Sequence, residues 1–148
     1  MLFRAGVQDV KTGAVTRRRG HLAVVMQFYP RFLSKQLVDE YARALAPERG
    51  LFGEFKALDR SGGDHDAAFA QVDYENRFAL TPAGWQDLER LSGASRERDV
   101  YLICQCLLQQ KCHADLLLLG ARYFFQASIP QPRISYPLFE ARLPHWKS

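Results

Sequence analysis

The sequence predicts a single α/β domain with a small, partly parallel sheet flanked by helices, and three observations carry that expectation. Two apolar runs, His21–Phe28 (HLAVVMQF) and Val100–Cys104 (VYLIC), read as strands; the second is apolar throughout, as a strand covered on both faces is. Segments of helical spacing lie between and after them, so the order is strand, strand, several helices, strand, helix. The length of 148 residues suits one domain with a sizeable core, and 47% hydrophobic with 24% charged residues excludes a disordered chain, a collagen and a coiled coil.

Element by element, Leu2–Val7 reads as the first strand, with turn and loop signals following at Lys11-Thr12-Gly13 and Arg17–Gly20. Pro30 ends the second strand because proline offers no ladder donor. Ser34 is placed to cap a helix over Lys35–Leu45, with Leu37, Val38, Tyr41 and Leu45 on one face, and Pro47 stops it. Gly50–Leu58 reads as a short helix and Arg60–Gly63 as a break. Asp64–Phe78 then resumes helical spacing through Ala68, Phe69, Val72 and Phe78. Asp64-His65-Asp66 reads as a helix cap rather than a ligand set. Thr81-Pro82 starts another helix, to about Leu91, and Arg96–Asp99 forms a loop. Cys112–Gln126 is apolar nearly all round, which predicts a buried last helix. The α/β domain is thus expected over 1–126. A tail over 127–148 interleaves Pro130, Pro132, Pro137 and Pro144 with Ile129, Tyr136, Phe139 and Trp146; it reads as packed along its own domain or, in a homodimer, along the partner.

The formal charge is +4, from 20 basic and 16 acidic residues, and it is unevenly spread. Residues 1–35 set seven bases against Asp9, while residues 36–126 carry ten bases and fourteen acids. A basic front on an acidic body steers anions. One reading of it is a nucleic-acid-binding accessory protein with Arg4, Lys11, Arg17, Arg18, Arg19 and Lys35 on phosphates, although no helix-turn-helix, zinc-finger or RNA-binding aromatic signature accompanies them. The plainer reading of Arg17-Arg18-Arg19 is a solvated loop. No apolar run approaches the roughly 20 residues of a bilayer span, so no membrane is expected as a partner. Three clustered cysteines without an export signal predict reduced thiols in a cytoplasmic protein.

Open α/β sheets bind ligands at the carboxyl ends of parallel strands, near helix N-termini. Tyr29-Pro30-Arg31 follows one strand, Cys104 closes another and Cys112-His113 opens the last helix, so parallel neighbouring strands would bring them to one crevice. Tyr29, Arg31, Lys35 and Cys112 are the candidate ligand-binding residues there, for a small anion such as a nucleotide, phosphate or carboxylate. Arg31 would act through a bidentate fork, its structural alternative being a salt bridge to Asp39 or Glu40. Three readings stand for the cysteines. Cys104 as a thiolate with His113 as its catalytic partner would make a cysteine-dependent transferase or hydrolase, although Gln105–Lys111 lacks the glycines of an oxyanion loop. Cys104, Cys106, Cys112 and His113 offer four zinc ligands, although C-x-C-x5-C-H is not a standard spacing and adjacent Cys112 and His113 must splay around one ion. The third reading is ordinary buried residues. No dinucleotide fingerprint, phosphate loop, nucleophile elbow or H-E-x-x-H is present, so no cofactor is specified.

The runs Phe28-Tyr29-Pro30-Arg31, Leu33-Ser34-Lys35 and Leu45-Ala46-Pro47 resemble the domain-of-unknown-function 488 family (YeaO-like proteins). So do Phe69 to Tyr74, and Leu102-Ile103-Cys104 with Cys112-His113. The likeness covers residues 20 to 125 and leaves out the tail. Three positions depart from it: the family's Gly after Pro-Arg is Phe32, a basic residue is Gln27, and the Arg after Cys-His is Ala114. The resemblance implies an α/β fold with a Rossmann-like sheet and no particular activity.

Overall fold

The computed structural model describes residues 1–61 and 63–147; Gly62, in the expected break, and Ser148, the last residue of the tail, lie outside the described residues. In chain order the elements are β1 (Leu2–Gly6), α1 (Val7–Lys11), β2 (His21–Val24), β3 (Glu40–Tyr41), α2 (Arg49–Arg60), α3 (His65–Gln71), α4 (Tyr74–Arg77), α5 (Pro82–Ala94), β4 (Val100–Cys104), α6 (His113–Phe125) and α7 (Pro137–Trp146). The strands form one sheet in the order β1-β4-β2-β3, and every neighbouring pair is parallel. The chain is therefore a single α/β domain whose sheet is wholly, not partly, parallel.

Central placement of β4 explains its composition, since all five of its residues are buried. Strand alternation divides the apolar side chains between two layers. Leu2, Ala23, Val25, Val100 and Leu102 join the larger core, which the helices from α2 onward complete. Ala5, Leu22, Val24, Tyr101 and Ile103 face a smaller cluster closed by Val7, Val10, Leu33 and Val38. Tyr136, Phe139, Leu143 and Trp146 of the tail belong to the larger core, where the Trp146 indole N–H donates to the Phe78 carbonyl at 2.8 Å.

The expected helix over Lys35–Leu45 is not formed. Ser34 does cap, its hydroxyl accepting from the Gln36 N–H, but only a 3-10 turn over Lys35–Leu37 follows. The Asp39 N–H then donates to the Leu22 carbonyl at 2.9 Å and the Ala42 N–H to the Val24 carbonyl at 2.8 Å, so residues 39–42 add the edge strand β3. Pairing with an open sheet edge overrides the helical spacing of Leu37, Val38, Tyr41 and Leu45. Likewise the segment Asp64–Phe78 is two helices, because Asp73 takes a left-handed φ of 57° between them. Thr81 and Asp64 cap α5 and α3 as the sequence predicts, through hydrogen bonds to Gly84 N–H and Asp66 N–H. Two short elements escape the sequence reading: α1, where Asp9 accepts from the Gly6 N–H at 2.9 Å, and α7 within the proline-rich tail. Among the described residues no helix is long and apolar enough to cross a membrane, and all three cysteines are free thiols.

Candidate functional site

Register places the strand ends together: Gly6 pairs with Cys104, and Val24 with Ile103. Beyond Val25, whose N–H still donates to the Ile103 carbonyl at 3.0 Å, the chain leaves the sheet. Gln27 anchors the departing segment. Its amide donates to the Pro47 carbonyl at 2.9 Å, its side-chain oxygen accepts from Arg43 Nε at 2.9 Å, and its backbone carbonyl accepts from the Tyr41 hydroxyl at 2.9 Å. That bracing opens a cavity of about 320 Å³ between the strand ends and α2.

The sheet brings Cys104, Cys112 and His113 into this cavity, together with Cys106 and Tyr29. Cys104 ends β4, Cys112 is the residue before α6 and His113 is the helix's first residue. The Cys112 and Cys104 sulfurs lie 3.2 Å apart, and Cys106 Sγ is 4.0 Å from Cys104 Sγ. His113 Nδ1 is 3.8 Å from Cys112 Sγ and 3.9 Å from Cys104 Sγ. On its far side His113 Nε2 stands 2.7 Å from the Val25 carbonyl, an acceptor, so Nε2 carries the proton and Nδ1 faces the sulfurs. The adjacent Cys112 and His113 therefore converge rather than splay.

The neighbouring Cys106 and Cys112 thiols, with His113 beyond them, hold the Cys104 thiol well below its ordinary value despite burial. Burial first, and then its sulfur contacts with Cys104 and Cys106, push Cys112 up; Cys106 is raised by its neighbour Cys104. Burial opposes the His113 cation, but the charges at Cys104 and Cys112 outweigh it and raise its pKa. Cys104 is thus the most acidic thiol of the cluster.

Arg31 and Lys35 are placed differently from Tyr29. Arg31 is exposed and lies outside the cavity lining. Its sequence-proposed partners are otherwise engaged: Asp39 with Arg17 at 3.0 Å, Glu40 with Arg90 at 2.6 Å and with His21 at 2.5 Å. Lys35 stacks over the Tyr29 ring at 5.6 Å. Tyr29 lines the cavity, and its hydroxyl has no partner among the described residues. In the basic front, Arg4 is buried against Asp115 at 2.7 Å and Arg17 is tied to Asp39.

The cations that do line the cavity are Lys56, Arg60 and Lys111, and sequence reasoning missed all three. None of them forms an ion pair among the described residues. The signal was present: Phe52, Lys56 and Arg60 recur every fourth residue and so share one face of α2. Lys111 is positioned by its backbone, whose N–H donates to Asp66 and whose carbonyl meets His65 Nε2, both at 2.9 Å. Aromatic walls complete the cavity, with Phe28 packed on Phe52 at 5.8 Å and Phe55 on Tyr74 at 5.7 Å.

A family model described as the active DUF488-N3 subclade matches residues 7–120. No curated protein and no solved structure matches the chain. The matched span contains β2, β4, α2, the cysteines and His113, which is the whole lining of the cavity. The chain belongs to this DUF488 family.

Proposed function

We propose that the cavity at the carboxyl ends of β2 and β4 binds a small anionic ligand bearing a planar ring, of the mononucleotide class. The observation that carries this reading is the set of three cations, Lys56, Arg60 and Lys111, lining an aromatic-walled cavity without ion-pair partners among the described residues. Phosphate or carboxylate oxygens take the three cationic side chains, and the ring packs on Phe28, Phe52 and the Tyr29 wall. A volume of about 320 Å³ sits at the low end of ligand pockets, about 300–1,000 Å³, which suits one nucleotide rather than a dinucleotide. The matched family's description as active supports a chemical use of the same pocket.

Calorimetric titration with nucleoside monophosphates, the parent nucleosides and inorganic phosphate tests the reading. The expected result is binding of the monophosphate, weakened about tenfold by Lys56→Ala or Arg60→Ala, the worth of one charge-assisted hydrogen bond. No binding by any of these probes, or equal binding by the Lys56→Ala/Arg60→Ala double variant, overturns it.

A further inference from the structure

The cysteine–histidine cluster beneath that pocket has a geometry that neither core packing nor a lone nucleophile requires. The three Cys sulfurs all lie within 4.8 Å of one another. Zinc–sulfur bonds of about 2.3 Å and zinc–nitrogen bonds of about 2.0–2.1 Å, set tetrahedrally, separate ligand sulfurs by about 3.8 Å and a sulfur from a nitrogen by about 3.6 Å. Three of the separations, 4.0 Å between the Cys104 and Cys106 sulfurs and 3.8 and 3.9 Å from sulfur to Nδ1, lie within about 0.3 Å of those values, and the Cys104–Cys112 pair at 3.2 Å spreads by about 0.6 Å to reach them. They are too long for covalent bonds. The sulfur-to-nitrogen pairs are also too open for strong direct hydrogen bonds.

We infer that Sγ of Cys104, Cys106 and Cys112 form the sulfur face of a site for one thiophilic divalent ion, zinc, and that Nδ1 of His113, which stands 3.9 and 3.8 Å from the Cys104 and Cys112 sulfurs, turns in as the fourth, tetrahedral ligand. The surroundings supply what such a site needs. His113 donates its other ring proton to the Val25 carbonyl at 2.7 Å, which fixes the tautomer and aims the Nδ1 lone pair at the sulfurs. On binding, the three thiols release their protons to solvent, and three thiolates with one dication leave a net charge of −1. Arg4, buried and within electrostatic reach of Cys112 and Cys106, offsets that charge. Arg4 also donates to the carbonyls of Leu107 and Gln110, so the residue that balances the site braces the loop that carries Cys106. Four protein ligands close the coordination sphere, which makes the ion structural: it clamps residues 105–111 between β4 and α6 and so sets where Lys111 enters the pocket.

The inference stands independently of nucleotide binding, and metal analysis of the full chain decides it. Protein purified with zinc and without chelator is expected to carry one zinc per chain by native and plasma mass spectrometry. Exchange with Co²⁺ is expected to give the intense d–d bands of a tetrahedral site and sulfur-to-cobalt charge transfer. Cys106 is the half-buried ligand, so Cys106→Ser is the variant the core tolerates best. It should lose about a third of the charge-transfer intensity, one thiolate of three. A metal-free chain with unchanged circular dichroism and melting, a chain lighter by the hydrogens of a Cys104–Cys112 disulfide, or charge transfer unaltered by Cys106→Ser each overturns the site. Lys56→Ala/Arg60→Ala retains full zinc; loss of nucleotide binding alone, with zinc present, counts only against the pocket reading.

Discussion

Two cavities of similar size, about 300 and about 320 Å³, both touch the stretch from Cys104 to Asp115, yet their charges are handled in opposite ways. In the cavity beneath the tail, Arg4 meets Asp115 at 2.7 Å and the Gln110 carbonyl at 2.9 Å. Asp115 in turn accepts from the Tyr136 hydroxyl at 2.5 Å. Apart from the exposed Arg133, charge and counter-charge are both built into the fold there. In the cavity over the cysteines, the three cations meet no acid among the described residues. Lys56 and Lys111 are half-buried and Arg60 is exposed, so water solvates all three and leaves them open to an incoming anion. The first cavity is a joint between tail and sheet; the second has the character of a receptor.

That contrast can be broken experimentally, and the largest effect belongs to the joint. Arg4→Leu strands a largely buried Asp115 carboxylate and removes two bonds to the 107–110 loop, so a loss of about 3 kcal/mol is expected by denaturant titration. An unchanged midpoint would show that Asp115 takes up a proton without cost. Next comes Gly120→Ala. A Cβ there would stand 2.5 Å from Trp146 Cζ3, forcing α7 away from α6 at a cost of about 1–3 kcal/mol with a shift in tryptophan fluorescence.

Smaller again is the edge of the sheet. Glu40 is held below its usual value of 4.5 mainly by the Arg90 fork at 2.6 and 3.0 Å, with His21 adding to it. The folded protein therefore releases that proton more readily than the unfolded chain. The resulting stabilisation, about 1 kcal/mol, is complete above pH 4.5 and fades as pH falls through the lowered value. Glu40→Gln should flatten the acid limb of a stability–pH profile and leave its neutral plateau lower. The smallest effect sharpens the comparison: Lys56→Ala and Arg60→Ala are expected to change stability by less than about 0.5 kcal/mol, because neither forms an ion pair among the described residues and the Lys56 cation–π contact with Phe52 is long, at 5.9 Å. A large loss would move them to the joint class.

How much of this was legible depended on whether a signal was local. Val100–Cys104 announces a central strand because no position on it carries a charge, and Thr81-Pro82 announces a helix start because its chemistry is complete within four residues. The meeting of Cys104 with Cys112 and His113 was legible as soon as the two strands were taken as parallel neighbours. Arg31 illustrates the limit. A cation after a rigid Tyr-Pro turn looks directed, but the direction in which residues 26–30 leave the sheet is set by Gln27 through Pro47 and Arg43, contacts sixteen and twenty residues away. Edge strand β3 failed for the same reason, since its partner β2 is remote and two residues of pairing leave no periodicity.

The placement of β4 between β1 and β2 has a consequence for how the chain is made. Among the described residues β1 finds its only strand partner in residues 100–104, so the nascent chain holds an unpaired first strand while everything between is translated. At about 5–20 residues per second that wait is on the order of ten seconds. During it the apolar Leu2, Phe3 and Ala5 lack the strand that pairs with them in the folded chain, and an unpaired strand of this kind is a template for pairing with another edge.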